Sequence, residues 1–271
     1  MTLQALIPCL DKTKEQILEL CSFLNIQSDA MFLNQTGHEN EYELSFGDYR
    51  IHVVETVWRG VSMARNELIR RCQTDVGLFI DDDCVLSDGY PDQVLKAYKE
   101  LSRAKAIRFN TKREYWNPVN AHAEKRKKAK FRDLSSFGMW GLSFRPNVFR
   151  DKGVYFNEKL GAPNYLYNGE DSTFLFDLCK KCPEVYLDPF LVCEVKETKE
   201  STWFSSYGKR YFVTKGFVYG YLYGRLWKLA LLRMYLRYGK EYKMSYKQVK
   251  RYAKMGHKML INQTYEEPSG E

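Results

Sequence analysis

Two short acidic groups carry the residue types from which chemistry could be built. In "VGLFIDDDCVLSDGY", Val76 to Tyr90, an apolar run drives straight into Asp81, Asp82 and Asp83. Three adjacent carboxylates at the end of a buried element repel one another and lose hydration. They are easiest to keep ionised against a cation. In an extended segment alternate side chains share a face, so Asp81 and Asp83 are expected to point together and Asp82 away. Two convergent carboxylates suit a hard divalent cation that keeps waters and bridges to substrate phosphates. An acidic turn capping the next helix is the plainer alternative. The second group is Glu170 and Asp171 in "GEDSTFLFDLCKK", directly behind the aromatic, glycine-containing stretch "KLGAPNYLYNG". A carboxylate there could accept a proton from an attacking hydroxyl. It could equally do no more than complement a helix macrodipole.

Both groups need a frame, and the hydrophobic patterning supplies one. "LQALIPCL", "DAMFLNQ", "YRIHVVE", "VGLFI" and "AKAIRF" read as strands, with "GMWGLSFR" and "EVYLDPFLVCEV" following later. Between them, "KTKEQILELCSFLNI" places Ile17, Leu20, Cys21 and Leu24 on one helical face. "GVSMARNELIRRC", "DQVLKAYKELSRA" and "GEDSTFLFDLCKK" are further helices. Strands and helices alternating over short connections predict a mostly parallel sheet covered on both faces. Ligands of such sheets sit at the C-terminal ends of strands, where Asp81 to Asp83 lie. "NAHAEKRKKAKFRD" is polar and basic, a loop or exposed helix that is either a solvated face or a phosphate-contacting lid.

Composition narrows the classes. A chain of 271 residues fits one large domain, or one domain with an appendage. The formal charge of +8 is uneven: from Ser201 onward 14 Lys and Arg face 4 Asp and Glu, whereas the first 200 residues are close to neutral. Basicity confined to the C-terminal part argues against a whole-body nucleic-acid binder and points that part toward something anionic. The seven cysteines have no regular spacing and read as reduced thiols, and the Cys179/Cys182 pair lacks further soft ligands for zinc. No run reaches the ~18 uncharged apolar residues of a membrane span, and the N-terminus has no basic region of a signal peptide. A cytoplasmic protein is expected, soluble or resting peripherally on the inner face of the plasma membrane.

The order "ALIPCLDK", "MFLNQT", "RGVSMARNELIR", "VGLFIDDDCVLSDGY" and "FNEKLGAPNYLYNGEDSTFLFDL" resembles the family-2 glycosyltransferases of the GT-A fold. It is most similar to bacterial members that assemble capsule, exopolysaccharide or lipopolysaccharide units, over about residues 3–195. The resemblance implies a Rossmann-like GT-A domain over 1–200, with a nucleotide-sugar half near 1–110 and an acceptor half near 135–200. A helical extension over 201–271 follows. It also implies an inverting, metal-dependent transfer of one sugar from a nucleotide-sugar, usually a UDP-sugar, with Mn2+ or Mg2+, to a saccharide or lipid-linked saccharide. Asp83 and Asp81 would be the DxD metal ligands, Asp83 the nearer. Asp171 would be the general base, with Glu170 the other candidate. Pro8, Leu10, Asn34, Gln35, Arg65, Asn66 and Asp82 would form the nucleotide pocket. Trp140, Gly161 and Tyr167 would shape the sugar and acceptor sites. Three departures stand out: Cys84 where a fourth acid is common, "NQTG" where an Asp-containing turn is frequent, and no QxxRW motif. The last implies a non-processive enzyme.

The C-terminal stretch "GFVYGYLYGRLWKLALLRMYLRYGK" spaces Gly216, Gly220 and Gly224 for close helix packing. Tyr223, Trp227, Leu231, Met234 and Tyr238 share one helical face, with Arg225, Lys228, Arg233, Arg237 and Lys240 over the rest. That apolar face would either lie in an anionic membrane surface or pack on the protein. Two rival functions remain. "FIDDDCV" also satisfies a haloacid-dehalogenase-like phosphatase motif, with Asp81 as nucleophile and Asp83 as acid/base. The basic, Tyr-rich tail could serve a nucleic-acid binder, which leaves both acidic groups unexplained and is not expected.

Overall fold

The computed structural model describes residues 1–113, 123–134, 138–196 and 207–267. Its elements run β1 (Leu3–Leu10), α1 (Lys14–Phe23), β2 (Asp29–Gln35), β3 (Asn40–Phe46), β4 (Tyr49–Thr56), α2 (Val61–Arg71), β5 (Val76–Phe79) and β6 (Cys84–Leu86). Then come α3 (Tyr90–Glu100), β7 (Ala106–Arg113), β8 (Lys127–Lys128), α4 (Phe131–Leu134), β9 (Leu142–Phe144), α5 (Pro146–Asp151), α6 (Glu170–Lys181) and β10 (Val185–Val195). Helices α7 (Lys209–Tyr223), α8 (Trp227–Tyr238) and α9 (Tyr246–Asn262) close the chain. Two compact units result. One holds Met1–Arg59, Met63–Tyr155 and Asp177–Glu200, and the other Gly60–Ser62, Phe156–Phe176 and Ser201–Glu271.

The first unit is built on one sheet in the order β3-β4-β2-β1-β5-β9-β7-β10-β6, with β8 paired to β10. Strands β4, β2, β1 and β5 are parallel, as are β7 and β10. The sheet is mixed, however: β3, β6, β8 and β9 all pair antiparallel. Strand alternation divides the core between two faces. Ala5, Ile7, Val76, Leu78 and Ile80 meet Ile17 and Cys21 of α1 and Tyr90, Val94 and Ala97 of α3. The opposite face carries Phe79 stacked on Phe144, which stacks in turn on Phe149 of α5. There Arg150 donates to the carbonyls of Ile69 and Cys72 and so ties α5 to the end of α2.

Helix α1 starts where the sequence says it should. Thr13 and Gln16 form a reciprocal capping box that satisfies two orphan donors. The basic stretch before α4 differs from expectation. Asn120 to His122 lie outside the described residues, but Lys127 and Lys128 form β8 on the edge of β10. Arg126 pairs with both Asp188 and Glu100, so its charge is spent in holding the segment to the sheet.

The second unit is a helical cluster. Gly216 of α7 and Gly256 of α9 lie at a close approach: a Cβ at Gly216 would sit 1.8 Å from the Ala253 carbonyl oxygen, and one at Gly256 1.8 Å from that of Val213. This is the packing that the glycine spacing predicts for Gly216 and for Gly220, whose Cβ would lie 2.6 Å from His257 Nδ1, but not for Gly224, which ends α7 with φ +52° and open space around it. Trp227, Leu231 and Met234 of α8 are buried with Phe212, Tyr242, Val249 and Ala253. The apolar face read from the sequence therefore packs within the protein and is not open to a membrane. Tyr223 and Tyr238, placed on the same face, remain exposed. Among the described residues no helix is long and apolar enough to cross a membrane.

Candidate active site

In the sheet unit, strand β5 ends at Phe79, and the three acids that follow are not in extended conformation. They form a turn closed by the Cys84 N–H donating to the Asp81 carbonyl at 3.2 Å, after which β6 leaves beside β10. The alternation argument for Asp81 and Asp83 is thus corrected: a turn, not a pleat, sets their directions. Their charges nevertheless meet. Burial, and next the Asp81 carboxylate, push the Asp83 carboxyl above its ordinary range. Asp82 is exposed; its charge adds to that on Asp83 and also acts on Cys9 at the end of β1, where burial and then Asp82 raise the thiol.

Arg65 of α2 reaches this turn from a buried position. Its Nη2 donates to Asp81 Oδ1 at 2.9 Å, with the Arg65 side chain only 5% exposed. Asn66 beside it is buried. One of the three acids is therefore neutralised by protein, and Asp83 is left as the carboxylate that burial makes costly. A hard cation fits this donor set, since carboxylate oxygens suit Mn2+ or Mg2+ and Asp83 gains most from an added positive charge. Among the described residues no three His, Cys, Asp or Glu side chains form a ready cluster for a metal. Waters and diphosphate oxygens would have to complete the coordination. Cys84 cannot act as a thiolate here: it is fully buried, burial raises its thiol, and its Sγ donates to Asp83 Oδ1 at 3.5 Å.

The residues expected to bind a nucleoside sit at the ends of β1 and β2, paired in parallel so that Pro8 lies beside Leu33 and Leu10 beside Gln35. Leu10 is exposed and Pro8 half-buried. Asn34 is fully buried, with its amide turned to the chain itself. It donates to the Lys12 carbonyl at 2.7 Å and accepts from the Lys12 N–H at 3.0 Å, so it shapes the loop after β1. Gln35 is buried and donates to the Cys9 carbonyl at 3.4 Å. Sequence reasoning missed Glu55, a buried carboxylate at the end of β4. Tyr42 donates to it at 3.4 Å, and His38 Nε2 lies 3.0 Å away. It also missed Arg59, which grips Asp11 through both carboxylate oxygens at 2.7 and 2.8 Å. Only the polar ends of predicted strands could have signalled them. Trp140 also belongs to this unit, its carbonyl accepting from the buried Arg108 guanidinium.

In the helical unit, Gly161, Tyr167, Glu170 and Asp171 come together around one loop. The Gly161 N–H donates to the Leu166 carbonyl at 2.9 Å, and Ser62 Oγ donates to the Leu160 carbonyl at 2.7 Å. Gly161 has φ +83°, and a Cβ there would lie 2.8 Å from Val61 Cγ1 and 3.2 Å from Glu170 Cδ. Only glycine meets both demands. Gly169, φ +94°, starts α6 by accepting from the Thr173 N–H at 3.0 Å, which puts Glu170 and Asp171 in the first helical turn. Both acids are half-buried. Helix α7 braces the loop. Arg210 donates to the carbonyls of Asn164 at 2.6 Å and Tyr165 at 2.8 Å, while its guanidinium sits 4.7 Å from the Tyr167 ring centre. Lys215 of α7 is half-buried; desolvation lowers its ammonium, and the Glu170 carboxylate pulls it back up.

Comparison with known proteins adds a family likeness and a fold. Residues 38–151 match the family model described as glycosyl transferase family 2. Over that stretch, less than half of its length, the chain is similar to the family. The solved structures that the chain resembles include S. aureus TarS 1–349, at 11% identity and a TM-score of 0.62, covering 98% of this chain and 93% of that one. The same TarS fragment in complex with UDP-GlcNAc matches at 12% identity with the same score and coverage. A longer S. aureus TarS chain matches at TM-score 0.60 and 11% identity, with 55% of its length covered. At such identities the likeness carries the fold alone, and that fold is GT-A. Among curated proteins none matches the sequence. The chain places its acid motif after its fifth strand, where the phosphatase alternative needs it after the first.

Proposed function

We propose that this protein is a glycosyltransferase that moves one sugar from a UDP-sugar to a saccharide or lipid-linked saccharide acceptor, with inversion, in the assembly of a bacterial surface polysaccharide. The observation that carries the reading is the turn after β5, where Arg65 balances Asp81 and leaves Asp83 raised by burial and like charge. The structural likeness to a TarS fragment solved with UDP and with UDP-GlcNAc supports a uridine nucleotide sugar as donor. Asp83, with Asp81 behind it, would hold Mn2+ or Mg2+ on the diphosphate. The ion would supply Lewis-acid stabilisation of the charge that develops as the nucleotide departs. Pro8, Leu10 and Gln35 line the nucleoside side, Asn34 fixes their loop and Asp82 faces the same end of β1.

The acceptor hydroxyl attacks the anomeric carbon and forms the new C–O bond. Its proton passes to Asp171, or to Glu170, and the bond to the phosphate oxygen breaks with its electron pair leaving on UDP. A single displacement of this kind inverts the anomeric centre, and one carboxylate suffices as base. Gly161, Tyr167 and Trp140 would shape the sugar and acceptor surfaces. Peripheral contact with an anionic membrane through the C-terminal helices belongs to the lipid-linked form of this reading. Calorimetry of the wild type and Asp83→Ala with UDP-sugars, with and without Mn2+, tests it. Metal-dependent binding lost in the variant is expected; equal binding by both would sink the assignment. Asp171→Ala should keep donor binding and lose transfer.

A further inference from the structure

Helix α8 has one packed side and one open side. The packed side is Trp227, Leu231 and Met234. At about 100° per residue the opposite side carries Leu229, Leu232 and Leu236 in a stripe. They are 63%, 36% and 77% exposed, and Leu226, in the turn leading into the helix, is 62% exposed. Arg225 falls in line with the stripe, Lys228 runs along one edge, and Arg233 and Arg237 run along the other. All four, and Lys240 beyond, are exposed. No Asp or Glu occurs anywhere from Ser201 to Lys240.

We propose that this outer face of α8 docks on an anionic lipid bilayer, leucines into the boundary between headgroups and acyl chains, Arg and Lys onto the phosphates. The sequence pattern directs attention to the other face of α8, which the fold buries; the docking face is the one left open. Three features favour lipid as occupant. Leucines at i, i+3 and i+7 make a narrow apolar line that a short helix can sink while lying in the interface plane. Long Arg and Lys stems beside it can lie along the apolar boundary while their charges reach headgroups. A second copy of this chain meeting the face symmetrically would set the same cations against one another. This inference supplies the membrane contact of the proposed function and rests on that reading only for its purpose.

The test uses the full chain and sedimenting vesicles of phosphatidylcholine alone or with 30 mol% phosphatidylglycerol, about 100 mM salt being low enough to leave surface charge unscreened at short range. Binding is expected to the anionic vesicles, weak to the neutral ones, and reversed by high salt. Arg233→Gln with Arg237→Gln should lower partitioning about thirtyfold. Leu229→Ser, Leu232→Ser and Leu236→Ser together should lower it by roughly tenfold or more. All five positions are exposed, so melting temperature should hold, and the Arg pair decides if the leucine variant fails to fold. Anionic vesicles left unbound, or bound equally by the variants, would overturn the proposal. So would lipid-independent dimerisation abolished by the leucine changes, which assigns the face to a second copy. Calorimetric binding of UDP-sugar by the same variants should match wild type. Its absence throughout would count against the transferase reading and leave the vesicle result standing.

Discussion

Asp83 owes its importance to what surrounds it: burial and two neighbouring acids, with the Arg65 guanidinium already committed to Asp81. A carboxyl raised in the folded state binds its proton more tightly there than in the unfolded chain. Stability therefore falls as pH rises from the ordinary carboxylate range through that raised value. Asp83→Asn removes the strain, so in EDTA at neutral pH the variant should melt above wild type in differential scanning fluorimetry. With Mn2+ and UDP-sugar the order should reverse, because only wild type gains from the ligand. A variant that melts lower in EDTA would remove the reason for a cation at this turn. Gly161→Ala carries two penalties, a left-handed backbone and a Cβ against Val61 and Glu170. About 1–3 kcal/mol of stability should be lost, read by urea unfolding, together with transfer activity. The acidic residues were legible as charges with no visible partner; their geometry was not, because Asp82 and Asp83 turn where an extended segment was expected. Asn34 was legible as polar at a strand end, but its burial and its grip on Lys12 depend on the register of β1 and β2.

Elements with strong periodicity were readable: β1, β2 and β5 from short apolar runs, α1 from its buried stripe and cap. Strand β3 was not, since "NEYELSF" is a polar edge that hides only Tyr42, Leu44 and Phe46 in part. Strand β9 was legible within "GMWGLSFR", but three-residue β6 owes its existence to a partner distant in sequence, and no local pattern encodes how either strand pairs. Their antiparallel pairing is why the sheet is mixed. Helix α7 was legible as a glycine ridge but not as the brace of the Gly161 loop. Arg210→Met should lose two hydrogen bonds to carbonyls and the stacking on Tyr167, a cost of about 2–4 kcal/mol. Transfer should fall while UDP-sugar affinity changes little; Arg210→Lys should restore part of the loss. Gly256→Ala, aimed at the Val213 carbonyl, should cost more stability than Gly161→Ala in the same urea measurement.

At the scale of the molecule, the C-terminal helices and the loop carrying Glu170 and Asp171 fold as one unit. Leu160 and Leu166 are buried against Val213, Phe217 and Met259. A fragment ending at Glu200 would expose both leucines, at about 1.5–3 kcal/mol each. It should aggregate or remain inactive on size-exclusion and transfer assays, rather than behave as a minimal enzyme.

The cysteines give the whole chain one more property. All seven are free; Cys9, Cys21, Cys72, Cys84, Cys182 and Cys193 are buried, and only Cys179 is partly open. Disulfide-exchange reagents attack thiolate that they can reach. A native sample titrated with a chromogenic aromatic disulfide should release colour first from Cys179, slowly because burial pushes its thiol up to about 11, and from the six others only as the chain opens. The protein thus carries an internal gauge of its own integrity, against which every variant above can be checked without a substrate.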